Sequence, residues 1–406
     1  MQTSFTERFK KTPEGQEAED IIRTCVHCGF CLATCPTYQL LGDELDSPRG
    51  RIYLMKEVME GAEPSRRTQI HLDRCLTCRA CETTCPSGVQ YGRLVDIGRA
   101  AVEKRQPRPL SERVMRQGLR RVVPYPGRFA ALLRLGQAVA PVLPASVREK
   151  VPPKRSRGDW PKADNAQRRM LVLDGCVQPV TAPNTNAAAA RVLARLGIRL
   201  ERARGAGCCG AVSHHLSAQE EARQFMRRNI DAWWPAIEAG AEAIVMTASG
   251  CGALVREYGH LLRDDRQYAD KAARVSEITR DLSEVLADED TSALRDIGRG
   301  KRVAYHPPCS LQHGQSITGL AEKLLRDAGY DLTPVPDSHL CCGSAGTYSI
   351  LEKDLAQRLL GNKLEALEGG RPDCIATANI GCQLHLETRA QVPVRHWIEL
   401  LDAAAA

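Results

Sequence analysis

Apolar residues along this chain follow two periods, and the two predict different elements. After Ser47-Pro48, the segment RGRIYLMKEVME carries its apolar positions at helical spacing as far as Gly61. Ser47 suits the N-cap, Pro48 the first helical position, and Gly61 the stop. AAAARVLARLGIRL (187–200) and EEARQFMRRNIDAWWPAIEAG (220–240) also read as helices. By contrast, MLVLDGC, RVAYHPPC, AIVMTA (243–248) and DCIATA (373–378) contain short unbroken apolar runs bounded by turn residues. Such runs suit strands covered on both faces in a mainly parallel sheet. The most apolar stretch, Phe129 to Ala145, is broken by Arg134, Gln137, Pro141 and Pro144. No run approaches the roughly 18 apolar residues of a spanning helix, and the chain reads as not integral to a membrane.

The strand-like runs recur in register. MLVLDGC ends at Cys176 and RVAYHPPC at Cys309; Cys208-Cys209-Gly210 is matched by Cys341-Cys342-Gly343; TASGC ends at Cys251 and TANIGC at Cys382. The offsets are 133, 133 and 131 residues, so a duplicated unit is expected. Each half reads as strand, helix, CCG loop, helix, strand, cysteine loop. With the eight cysteines of 1–100 spelling CxxCxxCxxxCP twice, the spacing of a two-cluster ferredoxin, the fold class is α+β overall: an N-terminal α-helical two-cluster ferredoxin-type domain over 1–100, a basic Pro-containing helical connector over 101–165, and two facing α/β lobes over 166–295 and 296–406.

Seventeen cysteines in 406 residues call for disulfides or metal. The polar N-terminus MQTSFTERFKKTPEGQ has no apolar signal segment, and an odd count suits a disulfide framework poorly. Reduced, metal-binding thiols are the expectation. The net charge is only +7, but between Arg99 and Arg121 eight Arg or Lys face two Glu. No nucleic-acid motif or interleaved aromatic pattern accompanies them. A membrane surface or an acidic protein partner fits that stretch better.

Cys25, Cys28, Cys31, Cys35 and Pro36 spell CxxCxxCxxxCP, and Cys75, Cys78, Cys81, Cys85 and Pro86 spell it again. Three thiolates at intervals of three residues wrap one face of an iron–sulfur cube, and the fourth reaches the neighbouring cluster. Cys25, Cys28, Cys31 and Cys85 are therefore expected on one 4Fe–4S cluster, and Cys75, Cys78, Cys81 and Cys35 on the other. Zinc, which favours separated CxxC pairs or histidine, fits the doubled motif less well. His27 is expected to be a neighbour rather than a ligand. Arg49 and Arg51 stand either against a cluster or in solvent.

Each C-terminal half offers four thiols: Cys176, Cys208, Cys209 and Cys251, then Cys309, Cys341, Cys342 and Cys382. Glycine after each Cys pair lets both sulfurs approach one centre. A cluster, a zinc ion and a redox-active dithiol stay open for these sites. Cys374 has no counterpart and reads as a plain core thiol. His214, His215, His306, His339 and His385 are candidates for proton handling beside them.

Two CxxCxxCxxxCP motifs followed by two CCG repeats resemble the iron–sulfur subunits of flavin-dependent 2-hydroxyacid dehydrogenases. Within that group, CVHCGFCLATCPTYQLLGDELDSPRGRIYLMKEV, HLDRCLTCRACETTCPSGV and TANIGCQLHL are similar to the glycolate oxidase iron–sulfur subunits. The resemblance implies a complex in which FAD-containing flavoprotein subunits oxidise glycolate, with D-lactate as a further fuel. It implies that this subunit relays electrons through two 4Fe–4S clusters to membrane quinone or another acceptor. A cytoplasmic location, peripheral on the inner membrane, is implied as well. A further cluster or a zinc ion in one or both CCG lobes stays open. The wider CCG family ends its repeat in CxxC, whereas Leu254 and His385 stand at the last position here. That departure counts against the five-thiol cluster and disulfide chemistry of heterodisulfide-reductase relatives. No GxxxxGK[ST] occurs, and the hydride acceptor is expected in a partner. A thiol–disulfide oxidoreductase, a zinc-stabilised docking module, and a subunit of a related lactate or glycerol-3-phosphate dehydrogenase are the alternatives.

Overall fold

The computed structural model describes residues 1–142, 151–163 and 166–402. The end of the Phe129–Ala145 stretch thus lies partly outside the described residues. The first hundred residues are helical. Helix Pro48–Met59 starts as its sequence requires, with the Ser47 hydroxyl accepting from the Gly50 amide, and Gly61 follows at φ +112°. It packs on Tyr91–Arg105, and the two cysteine loops are strung between helices that end just before Cys25 and Cys75. Ile22, Met55, Leu72, Leu94 and Val95 form the centre of this domain's core.

Two helices, Leu110–Val122 and Pro126–Val139, lead out of this domain toward the C-terminal region. There, two four-stranded sheets repeat one topology. Strands β1 (Arg168–Val172), β2 (Ile198–Arg202), β3 (Ile244–Met246) and β4 (Thr279–Asp281) lie in the order β2-β1-β3-β4. Strands β5 (Arg302–His306), β6 (Asp331–Leu332), β7 (Cys374–Thr377) and β8 (Val394–His396) lie in the order β6-β5-β7-β8. Every strand pair is parallel.

The expected sequence of elements needs correcting in two respects. Each lobe has a strand before its CCG loop and another at its end, neither of which apolar runs revealed. The segment 187–200 is helical only to Arg195, and Ile198–Arg202 then forms β2. In addition, Cys251 and Cys382 sit inside helices, Ser249–Val255 and Ile380–Glu387, rather than in loops.

One hydrophobic core crosses both lobes, joining Val172, Ala188, Leu193 and Leu282 to Val303, Tyr305, Leu324 and Trp397. The carboxyl ends of the sheets meet directly. The Ser249 amide donates to the Ala378 carbonyl at 3.0 Å, the Ser249 and Ser310 hydroxyls are 2.8 Å apart, and His396 Nε2 is 2.7 Å from the Thr247 carbonyl. The N-terminal domain touches both lobes. Glu257 pairs with Arg79 and Arg93, and Tyr348 donates to the Arg74 carbonyl at 3.1 Å. The carboxyl ends of parallel strands, where open α/β sheets place their ligands, therefore face one another and the ferredoxin-type loops.

Candidate metal centres

Both N-terminal loops bend in the same way. His27 and Gly29 in the first, and Thr77 and Arg79 in the second, all have positive φ, between +52° and +88°. These pairs of left-handed residues fall at matching places in the two motifs, 50 residues apart. They curl each loop so that its first three thiols face inward. Thr77 and Arg79 take this conformation without glycine's freedom, at a cost of about 1–2 kcal/mol each. Arg79 is held there by Glu82 and Glu257. The sequence offered Gly29 as a signal but nothing at Thr77.

Cys25, Cys28, Cys31 and Cys85 line one small pocket with Pro48, Arg49 and Tyr91, and Cys81 of the second motif also reaches it. Burial pushes the Cys31 thiol up to about 11, with the charges of Cys25 and Cys35 adding to it. Cys28, Val26 and Phe30 are exposed at the rim. The other set is deeper. Burial raises the Cys78 and Cys81 thiols far above the ordinary range, and Cys75 and Cys35 each add to both. Cys35, from the first motif, thus stands near the second motif's sulfurs as well as near Cys31 of its own. Buried thiols gathered in this way fit a metal group, whose positive charge stabilises thiolate.

Arg51, left undecided by sequence, is buried at 1% exposure beside Asp46 at 0%. Its Nη2 is 3.2 Å from Asp46 Oδ1, its Nε donates to the His71 carbonyl at 2.7 Å, and its Nη1 lies 4.0 Å from Cys35 Sγ. Arg49 instead pairs with Glu44 at the surface. His27 Nε2 has no partner among the described residues.

In the first lobe the thiols of Cys176, Cys208, Cys209 and Cys251 stand close enough to shift one another's ionisation. The second lobe repeats this with Cys309, Cys341, Cys342 and Cys382, and Cys309 Sγ lies 3.8 Å from Cys341 Sγ. Gly210 and Gly343 adopt φ +97° and +88°, and a Cβ on Gly343 would stand 2.7 Å from the Ala356 carbonyl oxygen. Only glycine lets the paired cysteines approach the following helix so closely. The loops are pinned from that helix. Asn229 donates to the Cys208 carbonyl at 2.9 Å, and Lys363 donates to the Asp337 carbonyl at 2.8 Å. One cavity of about 2300 Å³ reaches Cys75 and Cys78 and cysteines of both lobes. Cys78 stands close enough to Cys309 and Cys341 for their charges to act on one another.

The histidines divide. His306 is buried within reach of Cys342 and Cys382, and burial, with Lys363 nearby, holds it well below its usual pKa. His385 points to the Ala356 carbonyl. His339 offers its own carbonyl to His313, whose other ring nitrogen meets Thr83. His214 and His215 turn away from the thiols to the Asp96 carboxylate of the N-terminal domain, each at 3.2 Å.

Those two contacts make the docking of the N-terminal domain pH-dependent. Burial works against the His214 charge, but Asp96, Gln219 and Glu257 raise its pKa above 6.5. His214 therefore contributes stability that is full below pH 6.5 and lost as pH rises through its raised value. Burial also opposes the Asp96 charge, yet His215 and His214 hold its pKa far below 3.8. Its contribution is full above that value and lost only in strong acid. Asp96 is thus charged throughout the range in which His214 titrates. We predict that interdomain protection, followed by hydrogen exchange across Tyr91–Arg105, falls as pH rises above 6.5 through the raised His214 pKa. In His214→Gln the fall should be much smaller; an equal fall would refute the assignment.

The basic segment from Arg99 to Arg121 is less available than its composition suggested. Arg99 donates to the Leu72 and Cys75 carbonyls, Arg105 to the Val58 carbonyl, Arg108 and Arg116 pair with Asp73, and Arg120 with Glu221. Lys104, Arg113 and Arg121 remain exposed. What sequence reasoning missed is apolar: Leu110, Val114 and Met115 on one helix, and Leu132, Leu135 and Val139 on the next, are all exposed. Among the described residues, no helix is long and apolar enough to cross a membrane.

The comparisons agree with this layout. The 4Fe-4S dicluster domain family matches residues 21–89, and the Cysteine-rich domain family matches 170–256 and 303–387. The chain is 57% identical to the glycolate oxidase iron-sulfur subunit of Escherichia coli (strain K12), over 100% of this chain and 99% of that one. It is 31% identical to a probable glycolate oxidase iron-sulfur subunit of Bacillus subtilis (strain 168), over 95% and 91%. Lactate utilization protein A of Bacillus licheniformis is 28% identical over 56% of this chain and 96% of its own length.

Proposed function

Because this chain belongs to the family of glycolate oxidase iron–sulfur subunits, we propose that it is the electron-transfer subunit of a glycolate-oxidising complex whose flavin lies in partner subunits. The observation that carries this reading is the gathering of the eight cysteines of the two N-terminal motifs at two adjoining loops. Cys25, Cys28, Cys31 and Cys85 would hold one 4Fe–4S cluster, and Cys75, Cys78, Cys81 and Cys35 the other. When bound, these clusters supply one-electron carriers between the hydride-accepting flavin and a membrane acceptor such as quinone.

The chain's own residues have three tasks in this reading. They fix the sulfurs, through the left-handed loop residues and the helices flanking them. They set the local charge, as buried Arg51 does beside Cys35. They also present docking faces. Val26 and Phe30 are exposed at the rim of the first pocket and would meet the flavoprotein subunits. The exposed apolar residues of Leu110–Val122 and Pro126–Val139, with Lys104, Arg113 and Arg121, would rest on anionic lipid. The CCG cysteines would hold a further metal group, a cluster or zinc. Cys78 is the N-terminal thiol nearest in charge to Cys309, so the second lobe would lie next in line.

Glycolate added anaerobically to the purified flavoprotein subunits and this chain should bleach its iron–sulfur absorbance. Glycolate alone should not. Reduction of a disulfide substrate by this chain without the flavoprotein would favour the thiol–disulfide reading instead. Co-sedimentation with vesicles containing anionic lipid should fall in a Leu132→Asp, Leu135→Asp double variant.

A further inference from the structure

The two lobes carry the same four cysteines but are not chemically equal. His306 closes β5 and is 1% exposed. Neither of its ring nitrogens has a hydrogen-bond partner among the described residues. Buried polar groups are almost always satisfied, so two orphaned nitrogens on one ring call for another partner. A ring nitrogen of His306 and the Sγ atoms of Cys342 and Cys382 all lie within 4.8 Å of one another. In the first lobe the corresponding residue, 133 positions earlier, is Leu173, which can ligate nothing. The second lobe also has the buried Lys363 where the first has Asn229. Its ammonium lies near the thiols of Cys342, Cys341 and Cys382.

We infer that His306 is a ligand of the metal group in the second lobe, beside Cys342 and Cys382, while the first lobe binds through thiolates alone. This rests on the reading of the CCG cysteines as metal centres. A donor set of one imidazole and several thiolates suits zinc or an iron–sulfur centre. It also gives the second lobe a fifth donor where the CxxC ending is missing.

Native mass spectrometry of the anaerobically purified full-length chain tests this, comparing the unaltered protein with His306→Leu and Cys342→Ser. Both variants should lose the same component, zinc or an iron–sulfur mass, and keep the rest of the metal complement. His306→Cys, which returns a donor to the position, should retain it. For zinc, absorption at the zinc edge of the unaltered protein should show nitrogen among the sulfur neighbours. For iron, pulsed EPR on protein carrying ¹⁵N-histidine should show a nitrogen coupling that His306→Leu removes. If His306→Leu keeps the component and Cys342→Ser loses it, the histidine assignment is overturned and the metal centre stands. If neither variant loses metal, the centre itself is overturned. Should His306→Leu fail to fold, the unaltered protein decides alone, and a metal shell without nitrogen ends the proposal.

Discussion

Cys35→Ser is expected to remove the cluster of the second motif and to leave the first motif's cluster in place. Iron should fall from about eight to about four per chain, the loss of one 4Fe–4S group. Electron transfer from the flavoprotein to any acceptor beyond the second cluster should fall by at least two orders of magnitude; the transfer is lost with the carrier. The argument is geometric. Cys35 precedes helix Pro36–Leu41, with Pro36 at its first position, at the exit of the first loop. It lands within 3.4 Å of Thr37 Oγ1 and 3.7 Å of the Asp46 carbonyl, where the thiols of Cys78 and Cys81 feel it. Cys85 makes the reciprocal crossing into the pocket of Cys25. Cys85→Ser should therefore give the opposite pattern. EPR of the two reduced variants checks both at once. A Cys35→Ser protein that keeps the second signal and loses the first would reverse the assignment.

The second large effect is expected at Arg51. Arg51→Met should lower the midpoint for loss of the N-terminal fold by about 3–5 kcal/mol of stability, the usual cost of removing one partner from a buried ion pair. Asp46 is the reason. It is fully buried, and Arg51, His71 and Arg74 together satisfy it, at 3.2, 3.0 and 2.9 Å. Without Arg51, Thr37 and the His71 carbonyl also lose a donor. Arg51→Lys should recover only part of the loss, because one ammonium cannot reproduce a guanidinium that spans three partners. Arg51→Met also removes a positive charge 4.0 Å from Cys35 Sγ, so the potential of the second-motif cluster should become more negative. Urea titration followed at the cluster absorbance, together with a redox titration, checks the two parts. A shift in neither would show that Arg51 is only filler.

How much of this was legible beforehand depends on the range of the interaction concerned. The cysteine spacings, the Ser47-Pro48 helix start and the duplicated lobes were all readable, because each is a local rule or a repeat in register. The short strands β2, β4, β6 and β8 were not. They are two to five residues long, β2 is alternately buried and exposed, and each becomes a strand only by pairing with an inner neighbour. Arg51 was ambiguous because a charged residue near a helix start is buried or solvated according to what folds against it. Here Asp46 and His71, five and twenty residues away, decide.

The histidines show the same division. Sequence placed His214 and His215 beside the first CCG pair, yet they face Asp96, 118 and 119 residues distant. His306 looked no more distinctive than its neighbours until the fold left both its nitrogens unpartnered near Cys342 and Cys382. By itself, then, the sequence determined which atoms could bind metal and in what sets, since sulfur chemistry and loop spacing are written residue by residue. Only the tertiary structure decided which charges were buried with them, which lobe has an unpartnered buried histidine beside its thiols, and that both lobes open onto one cavity beside Cys78. Those outcomes depend on surfaces brought together from distant parts of the chain, and no local pattern records them.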